Sequence, residues 1–234
     1  MTSITDSNRP LRVLDKVMQG GLGKGNIGVL ASRHGTGKVA VLTSIAIDHA
    51  MDGKNTLHVA LNESVQDIRA YDDEVFHEIA ESLGLQDRTE LLAKVERHKQ
   101  IYTYKAGGFS VERLGDTLKF LAERAEFKPE MIELQGWPDF RTLAPVDFRN
   151  LKALAVEHEC EIWCYAHTTR DDVVDQRGVP EFIARLEDDI EVLIVLEPER
   201  RHVNLNFVKI HENTEPAEGN HLRFHPRTML IRWR

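Results

Sequence analysis

Apolar residues in this chain fall into short runs separated by turn residues, and the runs alternate between two periods. Ile27-Gly28-Val29-Leu30-Ala31 is a short apolar run bounded by turns, which predicts a buried strand. Residues 38–52, KVAVLTSIAIDHAMD, are apolar nearly all round and predict a buried helix closed by Gly53. Thr56–Leu61 predicts a second strand. Residues 65–98 read as helical with a break at Gly84. Ile68, Val75, Ile79 and Leu83 mark one stripe, and Leu91, Leu92 and Val95 another. Ile101–Tyr104 predicts a strand, which Ala106-Gly107-Gly108 breaks. Ser110 stands where it can cap a helix with Val111, Leu114, Leu118, Leu121 and Ala125 on one face.

Met131–Leu134 predicts a strand, Val146–His158 a helix and Glu161–Ala166 a strand. Residues 168–189 are polar and read in part as loop. Ile190–Leu196, His202–Ile210, His221–His225 and Met229–Arg232 then predict closely spaced strands. Strands separated by helices imply parallel crossovers, and the terminal strand run implies an antiparallel extension. Residues 11–26 read as a short helix ending in a glycine-rich turn, preceded by a flexible polar arm over residues 1–10. With no linker or internal repeat, residues 11–234 read as a single domain.

Composition narrows the function classes. The chain has 234 residues, 41% hydrophobic and 29% charged, the balance of a globular protein with a sizeable core. Its net charge of −8 does not support general binding to nucleic acid, which depends on neutralising phosphates, although a local basic patch remains compatible with it. No stretch reaches the roughly 18 apolar residues of a membrane span. The residues MTSITDSNRPLRVLDKV carry no apolar signal-peptide core, so a cytoplasmic protein with no membrane partner is expected. His158, Cys160, Cys164 and His167 have the residue types of a zinc site. On a strand, however, Cys160 and Cys164 lie roughly 13 Å apart, so no metal site is assigned.

The candidate chemistry lies at Ser32-Arg33-His34-Gly35-Thr36-Gly37-Lys38-Val39, between the first strand and the buried helix. The phosphate-binding loop pattern G-x-x-x-x-G-K-[ST] occupies that context. Backbone N–H groups at a helix start meet anionic oxygens there, Gly35 and Gly37 permit the tight turn, and Lys38 places a charge on the outer phosphates. Lys38 is expected to stand exposed when the site holds nothing. Two positions depart from the pattern: Ser32 replaces the first glycine, and Val39 replaces the hydroxyl residue that ligates Mg²⁺.

The flanking sequence resembles the RecA-like P-loop ATPases, in particular the KaiC, RadA and DnaB-helicase-like branch. Leu14-Asp15 followed by Gly20-Gly21-Leu22-Gly23-Lys24-Gly25 is similar to the segment that leads into the first strand of that family. Pro129–Gly136 resembles its Walker B strand, with Gln135 where an aspartate is expected. Tyr165–Arg170 resembles its strand-end sensor, with His167 at the key position. Leu205–His211 and His221–Ile231 resemble its closing strands. The resemblance covers about residues 11–232 and implies a RecA-like P-loop fold: a mostly parallel central sheet flanked by helices, with a C-terminal antiparallel extension.

The resemblance further implies that ATP or ADP is bound by residues 32–39, with Gln135 and His167 lining the γ-phosphate side and Glu63 as the catalytic carboxylate of an active member. Lys209 and His211 match a K-x-R pair that reaches a neighbouring subunit's nucleotide, so a homo-oligomeric ring or filament is implied. Val39 and Gln135 bear on one object, since Mg²⁺ takes hard oxygen ligands in an octahedron and neither residue suits it. His211 also replaces the arginine. These departures imply a nucleotide-binding, hydrolysis-impaired regulator or scaffold that does not hold Mg²⁺ in the usual way. An active DNA-dependent ATPase of the recombinase or helicase type is the alternative, and an interaction module with an empty pocket is a third. Glu133 and Asp139 are possible replacements for the missing carboxylate. Glu133 shares a strand face with Gln135 nearly 7 Å back, and Asp139 follows Trp137-Pro138 on a loop.

Overall fold

The computed structural model describes residues 9–105, 107–137, 139–214 and 222–233. Residues 1–8 of the expected arm lie outside them, as do Ala106, Pro138 and His221. Arg9 and Pro10, the end of the expected arm, are built into the fold. Pro10 opens α1 (Pro10–Val17), and buried Arg9 is bonded to the carboxylate of Asp48. Arg9 also donates to Asp48 O at 2.6 Å and to Asp52 Oδ1 at 2.7 Å. Burial pushes the Asp48 carboxyl up to about 6, against the pull of Arg9 and the Leu11 N–H.

The remaining elements follow the expected alternation. β1 (Ile27–Ser32), α2 (Lys38–Met51), β2 (Thr56–Leu61), α3 (Val65–Ser82), α4 (Arg88–His98) and β3 (Lys99–Tyr104) form the first half. Next come α5 (Val111–Arg124), β4 (Met131–Gln135), α6 (Pro145–Glu157) and β5 (Glu161–His167). The chain closes with α7 (Glu181–Ala184), a 3-10 turn (Glu187–Asp189), β6 (Val192–Pro198), β7 (Val203–Ile210), β8 (Leu222–His225) and β9 (Leu230–Trp233). The Ser110 hydroxyl caps α5 by accepting from Arg113 N at 3.2 Å, as its position predicts. The strand expected from Ile190 begins at Val192 instead, because Ile190 still closes the preceding 3-10 turn, its N–H donating to Glu187 O at 3.1 Å.

Among the described residues the sheet has nine strands, in the order β3-β2-β4-β5-β1-β6-β7-β8-β9. Neighbours from β3 to β6 are parallel, and β6 to β9 are antiparallel. The protein is therefore α/β, with a mostly parallel sheet and a C-terminal antiparallel extension.

Helices cover both faces. α1 to α4 bury Leu14, Ile45, Phe76 and Val95 on one side, and α5 and α6 bury Leu118, Phe148 and Leu151 on the other. This accounts for the apolar character of β1, buried along its whole length, and of α2, buried at all but one position. The Trp163 ring lies over Gly28, where a Cβ would come within 2.5 Å of it, so the residue there has to be glycine. Among the described residues no helix is long and apolar enough to cross a membrane.

Candidate functional site

The direction of the crossovers locates the candidate site. From β1 the chain crosses through α2 on one face to β2. From β5 it crosses through α7 on the opposite face, past β1, to β6. The connections leaving the adjacent strands β5 and β1 thus diverge, and open α/β sheets bind ligands in such a crevice, at the strands' carboxyl ends. Ser32 pairs with His167 there, and Thr168 N donates to Ser32 O at 2.9 Å.

The loop between β1 and α2 has the backbone of an anion cradle. Gly35 has φ 73° and Gly37 φ 97°, left-handed conformations that glycine adopts without a Cβ penalty. Gly37 caps α2 with no side-chain bond to the first amides, so those N–H groups remain for a ligand. Ser32 and Thr36 are buried, Arg33 and Val39 are half-buried, and His34 is exposed.

The expectation of an exposed Lys38 is wrong: it is only 3% exposed. Its Nζ donates to Arg33 O at 3.3 Å and lies 5.4 Å from the centre of the Tyr165 ring. Burial pulls the ammonium down to about 8. The lysine is folded back onto its own loop, over the end of β5.

His34 and His167 stack at 3.9 Å with planes 20° apart, closing the crevice. Burial pulls the His167 imidazole down to about 4, with the Lys38 and His34 charges acting in the same direction, so the ring is neutral at pH 7. Tyr165 is the residue that sequence reading passed over. Its hydroxyl accepts from Gly136 N at 3.2 Å, and its ring supports both Lys38 and His167. The available signal was the period of two, which puts Tyr165 and His167 on one face of the strand. On the other side of the β1 end a cavity of about 340 Å³ opens, lined by Arg33, Thr168, Arg170, Val195, Leu196 and Glu197 among others.

Gln135 lies at the end of β4 but faces inward. It is buried, and its Nε2 donates to Glu133 Oε1 at 2.7 Å. Thr43 of α2 donates to the same oxygen at 2.8 Å. Glu133 Oε2 is 3.2 Å from His58 Nδ1 and 3.5 Å from Lys99 Nζ, and Lys99 donates to Asp72 Oδ2 at 2.6 Å. Glu133 shares the face of Gln135, as its spacing predicts. It is fully buried in this network and does not face the crevice. The network was missed although the register pairs His58 with Glu133. Its signal was a polar residue in each of two otherwise apolar strand interiors. Asp139 is exposed on the loop after β4, where its carboxylate accepts from Arg141 N and Thr142 Oγ1.

Glu63 is exposed beyond the carboxyl end of β2, just after Asn62 at φ 63°. β4 and β5 lie between β2 and β1. Three strand spacings, about 14 Å, therefore separate Glu63 from the loop strand. Its charge helps to hold the Tyr165 hydroxyl above its ordinary range, after burial, the largest cause.

Lys209 and His211 lie at the opposite end of the sheet. β7 runs antiparallel to β6, and Ile210 pairs with Val192, near the Ile27 end of β1. The five-residue rise from Ile27 to Ser32 spans roughly 16 Å. Lys209 Nζ donates to Glu187 O at 2.7 Å within this chain. The His211 ring is 2.8 Å from Glu191 Oε1 through Nδ1 and 2.8 Å from Met18 O through Nε2. Both neighbours are acceptors, so the imidazolium satisfies both contacts and the neutral ring only one. Burial lowers its pKa, but the bonds to Glu191 and Met18 outweigh burial and leave it raised. A raised folded value means that this stabilisation is full below the unfolded pKa of about 6.5 and is lost as pH rises through the folded one. The ring is partly exposed, so the effect is expected to stay near the small values of surface pairs, at most about 1 kcal/mol. Urea midpoints from about pH 6 to 8.5 should fall for the native chain relative to His211→Ala, and parallel curves would refute this.

β5 is unbroken from Glu161 to His167, and Cys160 and Cys164 are both buried free thiols. Among the described residues no group of three or more His, Cys, Asp or Glu is placed to hold a metal ion. Comparison with protein-family models and with curated proteins gives no match to this chain.

Proposed function

We propose that this chain is a RecA-like P-loop protein that binds ATP or ADP between the carboxyl ends of β5 and β1, hydrolyses it little or not at all, and acts as a self-associating regulator or scaffold. The observation that carries the reading is the Gly35-Thr36-Gly37-Lys38 loop. It joins a buried strand to a buried helix at a divergence of crossovers, and two left-handed glycines leave the α2 amides open. In this reading the amides of residues 34–39 hold the phosphates. Lys38 swings from Arg33 O to the outer phosphate, and the cavity beside Arg33 takes the base and sugar.

The residues do not fit a conventional Mg²⁺ site. Val39 offers no oxygen, and the Gln135 amide is committed to Glu133. Restoring the family residue by Gln135→Asp would set a second carboxylate against buried Glu133, so that substitution is expected to destabilise the fold. Self-association rests on the family resemblance of Lys209 and His211. Their distance from this chain's own loop is compatible with service to a neighbour, which would require their release from Glu187, Glu191 and Met18.

The alternative, a DNA-dependent ATPase motor with Glu63 as general base, is favoured by the exposure of Glu63 at a strand's carboxyl end. Two measurements separate the readings. Turnover should be far below about 1 s⁻¹ with and without single-stranded DNA; ordinary enzymatic turnover abolished by Glu63→Gln would establish the motor instead. Light scattering should show species above the 26.7 kDa monomer. A monomer at high concentration, with and without nucleotide, would remove the scaffold reading.

A further inference from the structure

The antiparallel end of the sheet is packed on one face and open on the other. Val203, Leu205 and Phe207 of β7 and Leu222 and Phe224 of β8 are buried in the core beneath α1 and α2. Asn204, Asn206, Arg223 and His225 alternate with them, so they lie on the opposite face, where all four are only half-buried. The register sets Asn204, Arg223 and Arg232 side by side across β7, β8 and β9. At the end where β7 begins and β8 stops, Arg200 and Arg201 in one turn and Arg227 in the next are exposed. The rings of His202 and His225 lie 5.9 Å apart there. Among the described residues none of these five arginines is held by an ion pair or hydrogen bond.

In a chain of net charge −8 this is a local concentration of unpaired positive charge. Its field reaches His225: burial pulls the imidazole pKa down, and Arg232, His202 and Arg223 act in the same direction. Arg223 and Arg232 stand directly opposite each other, a like-charge pairing that costs stability. Protection of a sheet edge accounts for a cation on β9, the outermost strand, but not for Arg223 on β8, which is paired on both sides. An anion laid across the row removes the repulsion. We propose that this open face binds a single strand of nucleic acid, with phosphates on the arginines and bases against His202, His225 and the two asparagine amides. The side chains among the arginines select this occupant. Imidazole rings and guanidinium planes stack on bases, and an amide offers a base edge both a donor and an acceptor, whereas an acidic peptide needs only the cations. A flat sheet face has no element to enter a duplex groove, which favours unpaired bases. Among the described residues the face carries no exposed large apolar side chain for a membrane to take up, since Trp233 pairs with Leu222 on the packed side. The proposal goes beyond the nucleotide reading and does not depend on it.

The test follows the fluorescence anisotropy of labelled single strands of about 12 nucleotides, one of DNA and one of RNA, against the full chain without ATP. Binding of at least one is expected, with Kd on the order of 10–100 μM at about 0.15 M salt. The slope of log K against log salt should be about −2, as for about three phosphates of a single strand. Arg200→Gln, Arg201→Gln and Arg232→Gln replace exposed side chains, so the combined variant keeps the fold. It should weaken binding about tenfold or more and flatten the salt slope. Arg88→Gln, on α4 beside β3 at the opposite edge of the sheet, should change Kd by less than about twofold. A polyglutamate peptide of matching length should compete at least about tenfold more weakly than the unlabelled strand. No binding up to about 500 μM, unchanged binding in the combined variant, or tighter binding of a duplex of the same sequence overturns the proposal. Equal competition by the peptide also overturns it and assigns the face to an acidic protein.

Discussion

Lys99→Met is expected to lower the unfolding free energy by about 3–5 kcal/mol at pH 7, because breaking a buried ion pair strands its partners. Methionine keeps most of the apolar stem, so the loss of packing is small. What disappears is the charge 2.6 Å from Asp72 and 3.5 Å from Glu133, both buried. In the native chain burial pushes the Asp72 carboxyl up, but Lys99 and His58 together outweigh this and hold it below its ordinary value. Loss of Lys99 leaves burial opposed by His58 alone, so the folded pKa of Asp72 is expected to rise above the unfolded value. The penalty then applies in full above the folded value of Asp72, fades as pH falls through it, and is gone below the unfolded value of about 3.9. Urea unfolding at about pH 7 and pH 5 should therefore show a smaller difference from the native chain at the lower pH. Lys119, whose pairing with Glu157 at 3.9 Å is exposed, serves as control, and Lys119→Met should stay within about 0.5 kcal/mol of the native chain. A loss below about 1 kcal/mol for Lys99→Met would mean that the network does not hold these charges as described.

The second large effect is nucleotide-induced stabilisation. At about 100 times Kd, ATP should add about 2.7 kcal/mol, a rise in Tm on the order of 5–10 °C for a chain of this length. The attraction comes from backbone amides, the α2 N-terminus and Lys38, so the rise should be nearly the same in EDTA as in Mg²⁺. Lys38→Met should remove most of it. The burial of Lys38 adds a pH signature with two opposite signs. Its folded pKa, about 8, lies below the ordinary lysine value, so the penalty for keeping it charged is full below about 8. The penalty is relieved as pH rises from there toward about 10.4, and the nucleotide-free protein should gain stability from this group in that window. The ATP-induced shift should shrink over the same range as the ammonium deprotonates. Thermal-shift titrations with ATP, ADP and GTP, each with Mg²⁺ and with EDTA, test the whole set. No shift with any nucleotide up to about 1 mM would make the loop a vestige and favour an interaction module.

The His211 dependence has a different origin, since it comes from a partly exposed ring between two acceptors and not from desolvation alone. Its sign is opposite to that of Lys38: stability falls with pH near neutrality for His211, whereas for Lys38 it rises at alkaline pH. Single substitutions at the two positions separate them.

Much of the fold was legible because helix and strand periods are local. The apolar run at Ile27–Ala31, the all-round apolar helix from Lys38 and the stripe at Leu114, Leu118 and Leu121 each carry their period within a few turns or residues. The glycines at 35 and 37 and the cap at Ser110 were readable for the same reason, since backbone sterics and capping act between near neighbours. The alternation of these segments was enough to require parallel crossovers and a terminal antiparallel run.

Other features depend on which distant segments meet, and no local pattern encodes that. Strand order is one: it places β1 between β5 and β6 and so brings His34 onto His167. The fate of each polar side chain is another. Lys38 looked like an exposed phosphate ligand, yet Tyr165 and its own loop cover it. Gln135 looked like a weakened metal partner, yet its amide is fixed by Glu133, which is joined in turn to His58, Lys99 and, through Lys99, Asp72 from three further elements. Lys209 and His211 resembled a pair that reaches a neighbouring subunit, and within this chain they are bonded to groups remote in sequence, Lys209 to Glu187 O and His211 to Glu191 and Met18 O. The sequence by itself determined where helices, strands and the glycine turn before α2 lie, because those follow from backbone sterics and short-range hydrophobic period. Only the tertiary structure decided which charges are buried, because burial and pairing are properties of long-range packing.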